Sequence, residues 1–333
     1  APERGEIAAA IREADLCHLL VRADGDAIAA AATLARACEA AATPYQVSAV
    51  RTRADLRARL ESADPDAEPI VVGTTAPQVR SLPDSPVSKS AHAIARELDA
   101  APDPETVLAG IVAAGVDPAE TAPDLLDRAG TEPTAGVATP TDDLADGLAH
   151  TTLAHAGFSG DPEAAADELA ALGTDSDPSQ VASLLALATA GPDEASDRAA
   201  AAIERAVQPY RTSRFETVGG YADVLGAVAH SSPGLGVALA MTGEGREAAL
   251  SAWRERARAA HAAVGSIDGA RYDGLFVARV DGPVEPVARL LRDFRSPEPV
   301  VLATGDGEAA IAAVEARVDE PIEAAAEAVG GSG

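Results

Sequence analysis

Residues 17–28 read Cys17-His18-Leu19-Leu20-Val21-Arg22-Ala23-Asp24-Gly25-Asp26-Ala27-Ile28. An apolar run ends in two carboxylates that straddle a glycine, and an alanine-rich helical pattern follows at once. The stretch predicts a strand that delivers Asp24 and Asp26 to a strand–helix turn, a place where paired carboxylates commonly hold a metal. The plainer alternative is a helix N-terminus, with two acids favoured by the helix dipole and Gly25 supplying backbone freedom.

The surrounding chain fits a doubly wound, mostly parallel sheet. A short amphipathic helix over residues 6–15 precedes the strand HLLVR, and the helix AIAAAATLARACEAA ends at Thr43-Pro44, since proline cannot continue it. YQVSAV predicts a second strand and TRADLRARLESA a helix capped by Thr52. PIVVGTT is a continuously apolar third strand, of the kind buried on both faces of a parallel sheet. Such βαβαβ alternation places a ligand site at the carboxyl ends of the strands, where Asp24, Asp26, Gly73 and Thr74 fall. From about residue 88 to 205 the pattern is helical, and TDDLADGLAHTTLAHA predicts one helix within it. RTSRFETVGG, at 211–220, marks a domain junction. Beyond it the pattern predicts a smaller α/β domain. Its expected order is a helix (YADVLGAVAHSS), a strand (PGLGVALAMTG), a helix ending in AAVGSI, a strand (RYDGLFVARVDG), a helix, a strand (PVVLATGDG) and a last helix (EAAIAAVEARV). The expected domains are 1–210 and 211–333.

Composition narrows the setting. The 53 acidic residues against 26 basic ones give a formal net charge of −27, and only Lys89 among the basic residues is a lysine. A diffuse acid excess of this kind suits a salt-loaded cytoplasm, where screening relieves the repulsion between carboxylates. It describes the solvent first and argues neither for a basic partner nor against nucleic acid. Cys17 and Cys38 read as buried, reduced thiols, and without a CxxC pair a cysteine zinc site is excluded. No apolar run approaches the ~18 residues of a membrane span, so the expectation is a cytoplasmic protein with no membrane partner.

The six histidines supply no i,i+4 ligand pair, and His150 and His155 are five apart. Thr304-Gly305-Asp306-Gly307-Glu308 lacks the ending of a phosphate-binding P-loop and reads as a plain βα turn. Gly219-Gly220 is a short glycine turn, a weak phosphate signal. Arg22, Arg211, Arg214 and Arg271 could contact phosphates, although arginines on an acidic protein usually form salt bridges.

Several of these pieces together resemble a known family. Residues 16–40, GLAHTTLAHAGFSGD (147–161), RFETVGGYADVLGAVAHSSPGLGVALA (214–240) and GLFVARVDGPVEPVARLLRDFRSPEPVVLATGDG (274–307) are similar to the DHH phosphoesterases with a DHHA1 domain, in their archaeal RecJ-like exonuclease branch. The resemblance implies a DHH-like domain, a helical middle and a DHHA1-like domain. It also implies a site where carboxylates and histidines hold two Mn²⁺ or Mg²⁺ ions that activate water for phosphodiester hydrolysis.

The motifs of that site are degenerate. Leu20 stands where the family's first motif has histidine, Arg22 where it has aspartate, and only Asp24 with Gly25 matches. Gly73 stands where an aspartate ends the third strand. PDSPVSKSAH (83–92) lacks the Asp-His-His run, and ATGDGEAA (303–310) lacks the glycine-rich grip on nucleic acid. Gly226-Ala227-Val228-Ala229-His230 has lost an asparagine and an arginine. A guanidinium at a cation site repels the ion by several kcal/mol even at an effective dielectric of about 20. The expectation is therefore a catalytically inactive RecJ-like protein with no cofactor, in which Asp24 and Asp26 are remnants. Arg22, Gly25, Gly73, Thr74, Gly219 and Gly220 are its binding candidates. By resemblance its partners are replication or repair proteins such as GINS and single-stranded nucleic acid. The competing expectation is an active Mn- or Mg-dependent single-strand exonuclease or phosphoesterase.

Overall fold

The computed structural model describes residues 4–173 and 177–314. After α1 (Arg4–Glu13), β1 (Cys17–Arg22) leads into α2 (Gly25–Ala40), β2 (Tyr45–Val50), α3 (Arg53–Glu61), β3 (Glu68–Val72) and β4 (Arg80–Leu82). The four strands form a parallel sheet in the order β2-β1-β3-β4. Central β1 is buried on both faces. Leu19 and Val21 join the main core with α2, while Leu20 packs against Val50, Leu56 and Val71 on the side covered by α3. The fourth strand is absent from the sequence reading because three residues, Arg80-Ser81-Leu82, carry no apolar periodicity.

The helical middle comprises α4 (Val87–Glu97), α5 (Pro104–Ala113), α6 (Pro118–Thr121), α7 (Pro123–Ala129), α8 (Leu144–His150), α9 (Pro162–Leu172), α10 (Pro178–Ala190) and α11 (Ala199–Ile203). The single helix expected over TDDLADGLAHTTLAHA stops at His150. Thr151 turns to extended backbone, and the Thr152 N–H leaves the helix to donate to Asp223 at 2.8 Å.

Three helices follow: α12 (Val218–Ser231), α13 (Pro233–Thr242) and α14 (Arg246–Gly265). PGLGVALAMTG is thus a helix and not the expected strand. Pro233 occupies its first turn, Gly243 ends it at φ +79°, and it packs on α2. A short, wholly apolar run has no period by which to tell a buried strand from a buried helix. Phe215 to Trp253 belong to the core around the first sheet, so that core reaches past residue 211. The second half of α14, with Ala260, Ala263 and Val264, enters the core of the second sheet. This one helix is the spine shared by both.

The second sheet contains β5 (Asp268–Tyr272), β6 (Leu275–Arg279), β7 (Val300–Gly305) and β8 (Glu308–Ala313), in that order. Between β6 and β7 run α15 (Val284–Leu290) and a π-helical turn (Leu291–Arg295). RYDGLFVARVDG is a hairpin turning at Asp273-Gly274, where one strand was expected. EAAIAA is a strand and not the start of a helix. Asp306 and Gly307 adopt φ of +46° and +78°, the pattern of a two-residue hairpin turn, and pair β8 antiparallel to β7. The remainder of that expected helix, from residue 315, lies outside the described residues.

Candidate functional site

The carboxyl end of β1 leads Asp24 and Gly25 to one rim of a cleft between the two cores, with Arg22 paired to Asp24. Asp24 is the N-cap of α2: its Oδ1 accepts the Ala27 N–H at 2.9 Å, and its Oδ2 accepts Arg22 Nε. Asp26 is 3% exposed and points the other way. Its two oxygens accept the backbone N–H groups of Val87 at 2.7 Å and Ser88 at 2.9 Å. The residue preceding α4 is Pro86, which caps nothing, so Asp26 supplies the cap from a distant point in the chain. Burial raises the Asp26 carboxyl to about 6, against the opposing pull of these hydrogen bonds.

Gly73, buried at φ +82°, lies beside this pair. A Cβ there would stand 3.0 Å from Ala27 Cβ and 3.2 Å from Arg22 Cβ, so its bareness is what leaves room for Arg22. Thr74 follows, half-buried. Gly219 and Gly220 are brought elsewhere. They lie in the first turn of α12 against residues 138–140, where a Gly220 Cβ would meet Thr139 C at 2.1 Å. That contact is packing, held by Thr217 Oγ1 donating to the Thr139 carbonyl at 2.8 Å.

The cleft encloses a cavity of about 120 Å³. Asp24 and Gly25 line one side, Asp223, Gly226 and His230 of α12 the floor, and Trp253 and Arg256 of α14 with Glu285 and Arg289 of α15 the other side. Asp223 is buried and fully engaged, accepting Thr152 N–H and Trp253 Nε1–H at 2.8 Å each as well as the Thr152 hydroxyl. Arg289 Nη2 donates to Thr152 Oγ1 at 2.8 Å, so one threonine links Asp223 on the floor to the α15 wall. Arg256 pairs with Glu285 at 3.3 Å. Burial, before any charge nearby, lowers His230 and keeps it neutral near pH 7.

Arg256, Arg289, Asp223 and Thr152 were missed as site residues in the sequence reading. One signal was present: Trp253, Arg256, Ala257 and Ala260 share a helical face, which puts an arginine in an apolar stripe. Of the other arginines considered, Arg211 pairs with Glu216 at 3.0 Å, Arg214 with Asp103 at 2.9 Å and Arg271 with Glu298. Among the described residues no three His, Cys, Asp or Glu side chains are grouped so as to hold a metal ion. Among the described residues no helix is long and apolar enough to cross a membrane.

The class these features define is a mixed α/β chain with a parallel first sheet, a second sheet in its C-terminal domain and a cleft between them. Its fold is similar to that of CDC45 from Entamoeba histolytica, with a TM-score of 0.59 over 94% of this chain and 85% of that one. At 11% identity the likeness is one of fold. Exonuclease RecJ bound to manganese matches 93% of this chain and 82% of that one at 14% identity, but with a TM-score of 0.45 nothing further rests on it. The chain is 45% identical to Uncharacterized protein rrnAC1427 of Haloarcula marismortui, covering 98% of this chain and 89% of that protein, and it belongs to that protein's family. Residues 267–333 match the family described as Uncharacterized protein rrnAC1427, C-terminal domain.

Proposed function

We propose that this chain is a catalytically inactive, RecJ-like cytoplasmic protein that acts by binding in DNA replication or repair. Its partners in this reading are single-stranded nucleic acid and replication proteins such as GINS. The observation that carries the reading is the ion pair between Arg22 and Asp24. The one carboxylate that matches the family's first motif is bonded to a guanidinium standing where the family has a second carboxylate. Asp26, the nearest substitute ligand, has both oxygens committed to the start of α4. Two-metal hydrolysis needs anionic or neutral donors converging on open coordination positions. Here a fixed cation takes that place, and the cleft that remains is suited to holding a ligand without transforming it.

The test is incubation of the full chain with labelled single-stranded DNA and RNA in molar KCl, with and without Mn²⁺, alongside binding measured by anisotropy and pull-down with purified GINS. Strand or GINS binding with no cleavage is expected. Mn²⁺-dependent cleavage that disappears in Asp24→Ala would overturn the reading in favour of an active exonuclease.

A further inference from the structure

The charges of α3 run against the rules that stabilise a helix. Leu56 is its one buried residue, Asp55 and Leu60 are half-buried, and Arg53, Ala54, Arg57, Ala58, Arg59 and Glu61 are exposed. So short a helix cannot hold itself and depends on what it packs against. Arg51 and Arg53 stand at its N-terminal end, where the helix dipole disfavours cations. Arg53 and Arg57 are four residues apart, where like charges repel. Asp55, the only acid from residue 51 to 60, accepts the Arg51 N–H at 3.2 Å and Arg59 Nε at 3.4 Å. Four of the 26 basic residues thus stand between positions 51 and 59 of a chain whose formal net charge is −27. Positions that break local rules together mark a functional surface. None of them lines the cleft.

We propose that the exposed side of α3 is a docking surface for a protein partner that presents carboxylates along a helix. The proposal rests on the binding function proposed above and names the surface and the chemistry of the partner. At 1.5 Å of rise per residue, Arg53 and Arg57 are about 6 Å apart along the axis, the spacing of two acids four residues apart on a partner helix. Guanidinium forks take carboxylates by paired N–H···O bonds, which suits arginine at every one of these positions. Ala54 and Ala58, also exposed and four apart, flank that row and let a second backbone come close. A single strand of nucleic acid fits less well. Such strands stack their bases on aromatic side chains, and no Phe, Tyr or Trp occurs from residue 46 to 157, a stretch that includes α3, β3 and β4.

The full chain is titrated in molar KCl, by anisotropy, with a labelled alanine-rich helical peptide carrying glutamate at every fourth position. A scrambled peptide of the same composition, purified GINS and oligothymidylate are titrated in parallel. The ordered peptide and GINS are expected to bind, the scrambled peptide several-fold more weakly. The double variant Arg53→Glu, Arg57→Glu should weaken both the peptide and GINS about tenfold or more, since like charges then face each other across the contact. Arg57→Ala, which raises helix propensity, should weaken them several-fold and serves should charge reversal disturb α3. Equal binding of the peptide by wild type and both variants would overturn the proposal. GINS binding that is equal in all three would also overturn it and leave the function proposed above intact. Peptide binding that depends on Arg57, with neither GINS nor strand bound, supports the surface and counts against that function. Two further results would overturn the proposal: oligothymidylate binding, and not peptide binding, lost in the double variant, or a chain that sediments as a dimer only while Arg53 and Arg57 are present.

Discussion

Asp24 and Asp26 stand two residues apart and hold different parts of the molecule. Asp24 caps its own helix, whereas Asp26 caps α4 with two buried hydrogen bonds. Asp26→Ala leaves two buried N–H groups unpaired, at about 1–3 kcal/mol for such a group. A loss of at least 2 kcal/mol in urea unfolding is therefore expected. Arg22→Ala should change stability by less than about 1 kcal/mol, because the pair it breaks is 48% and 34% exposed. The cap by Asp24 was legible in the sequence, since an acid before an alanine-rich run is a helix-start signal. The role of Asp26 was not, because its partners Val87 and Ser88 come from another element and no local pattern announces them.

At the scale of elements, β1 to β3 of the parallel sheet could be read because β1 and β3 are apolar runs and α2 and α3 carry their own caps, Asp24 and Thr52. Two of the misread elements, α13 and β8, failed for different reasons. In α13 an apolar run without period was compatible with either structure, and packing on α2 decided for the helix. In β8 an alanine-rich segment with helical propensity was drawn into a strand by the Asp306-Gly307 turn and by pairing with β7. That turn signal was present, but it was assigned to a strand–helix connection. Gly307→Val puts a β-branched residue at φ +78°, which costs about 1–2 kcal/mol or more. The expected result is faster amide exchange across the β7–β8 ladder with the first sheet unchanged, and uniform protection in both sheets would contradict it.

At the scale of the whole molecule, α14 joins the two cores, and the segment after α8 is fastened to it by a buried histidine pair. His261 Nε2 lies 3.1 Å from the Thr151 carbonyl oxygen and must donate there. Its Nδ1 therefore accepts from His155 Nδ1, also 3.1 Å away. Burial lowers His155 to about 3, helped by His261 and Arg295, and lowers His261 to about 4. Both rings are neutral when folded and charge near their ordinary 6.5 when unfolded, so this stability is complete above about pH 6.5 and is lost as the pH falls toward 4. Between pH 7 and 5 each ring should contribute a loss of about 2 kcal/mol. Asp26, whose carboxyl is raised, acts in the opposite direction over pH 4 to 6, with a smaller effect. Denaturant unfolding at constant molar KCl should show a net decline below pH 6.5, flattened in His155→Gln. A pH-independent midpoint would contradict the pair. None of this was legible beforehand, because the two histidines are far apart in sequence and their contact exists only once the cores are joined.

The central proposal is that Arg22, paired with Asp24, leaves no metal site at the carboxyl end of β1. Calorimetric titration of the full chain with Mn²⁺ in molar KCl tests it most directly, since the salt suppresses diffuse binding to the acidic surface. The account predicts no stoichiometric Mn²⁺ site in the wild-type chain and no difference in Asp24→Ala. One or two tightly bound ions per chain, lost when Asp24 is replaced by alanine, would contradict it.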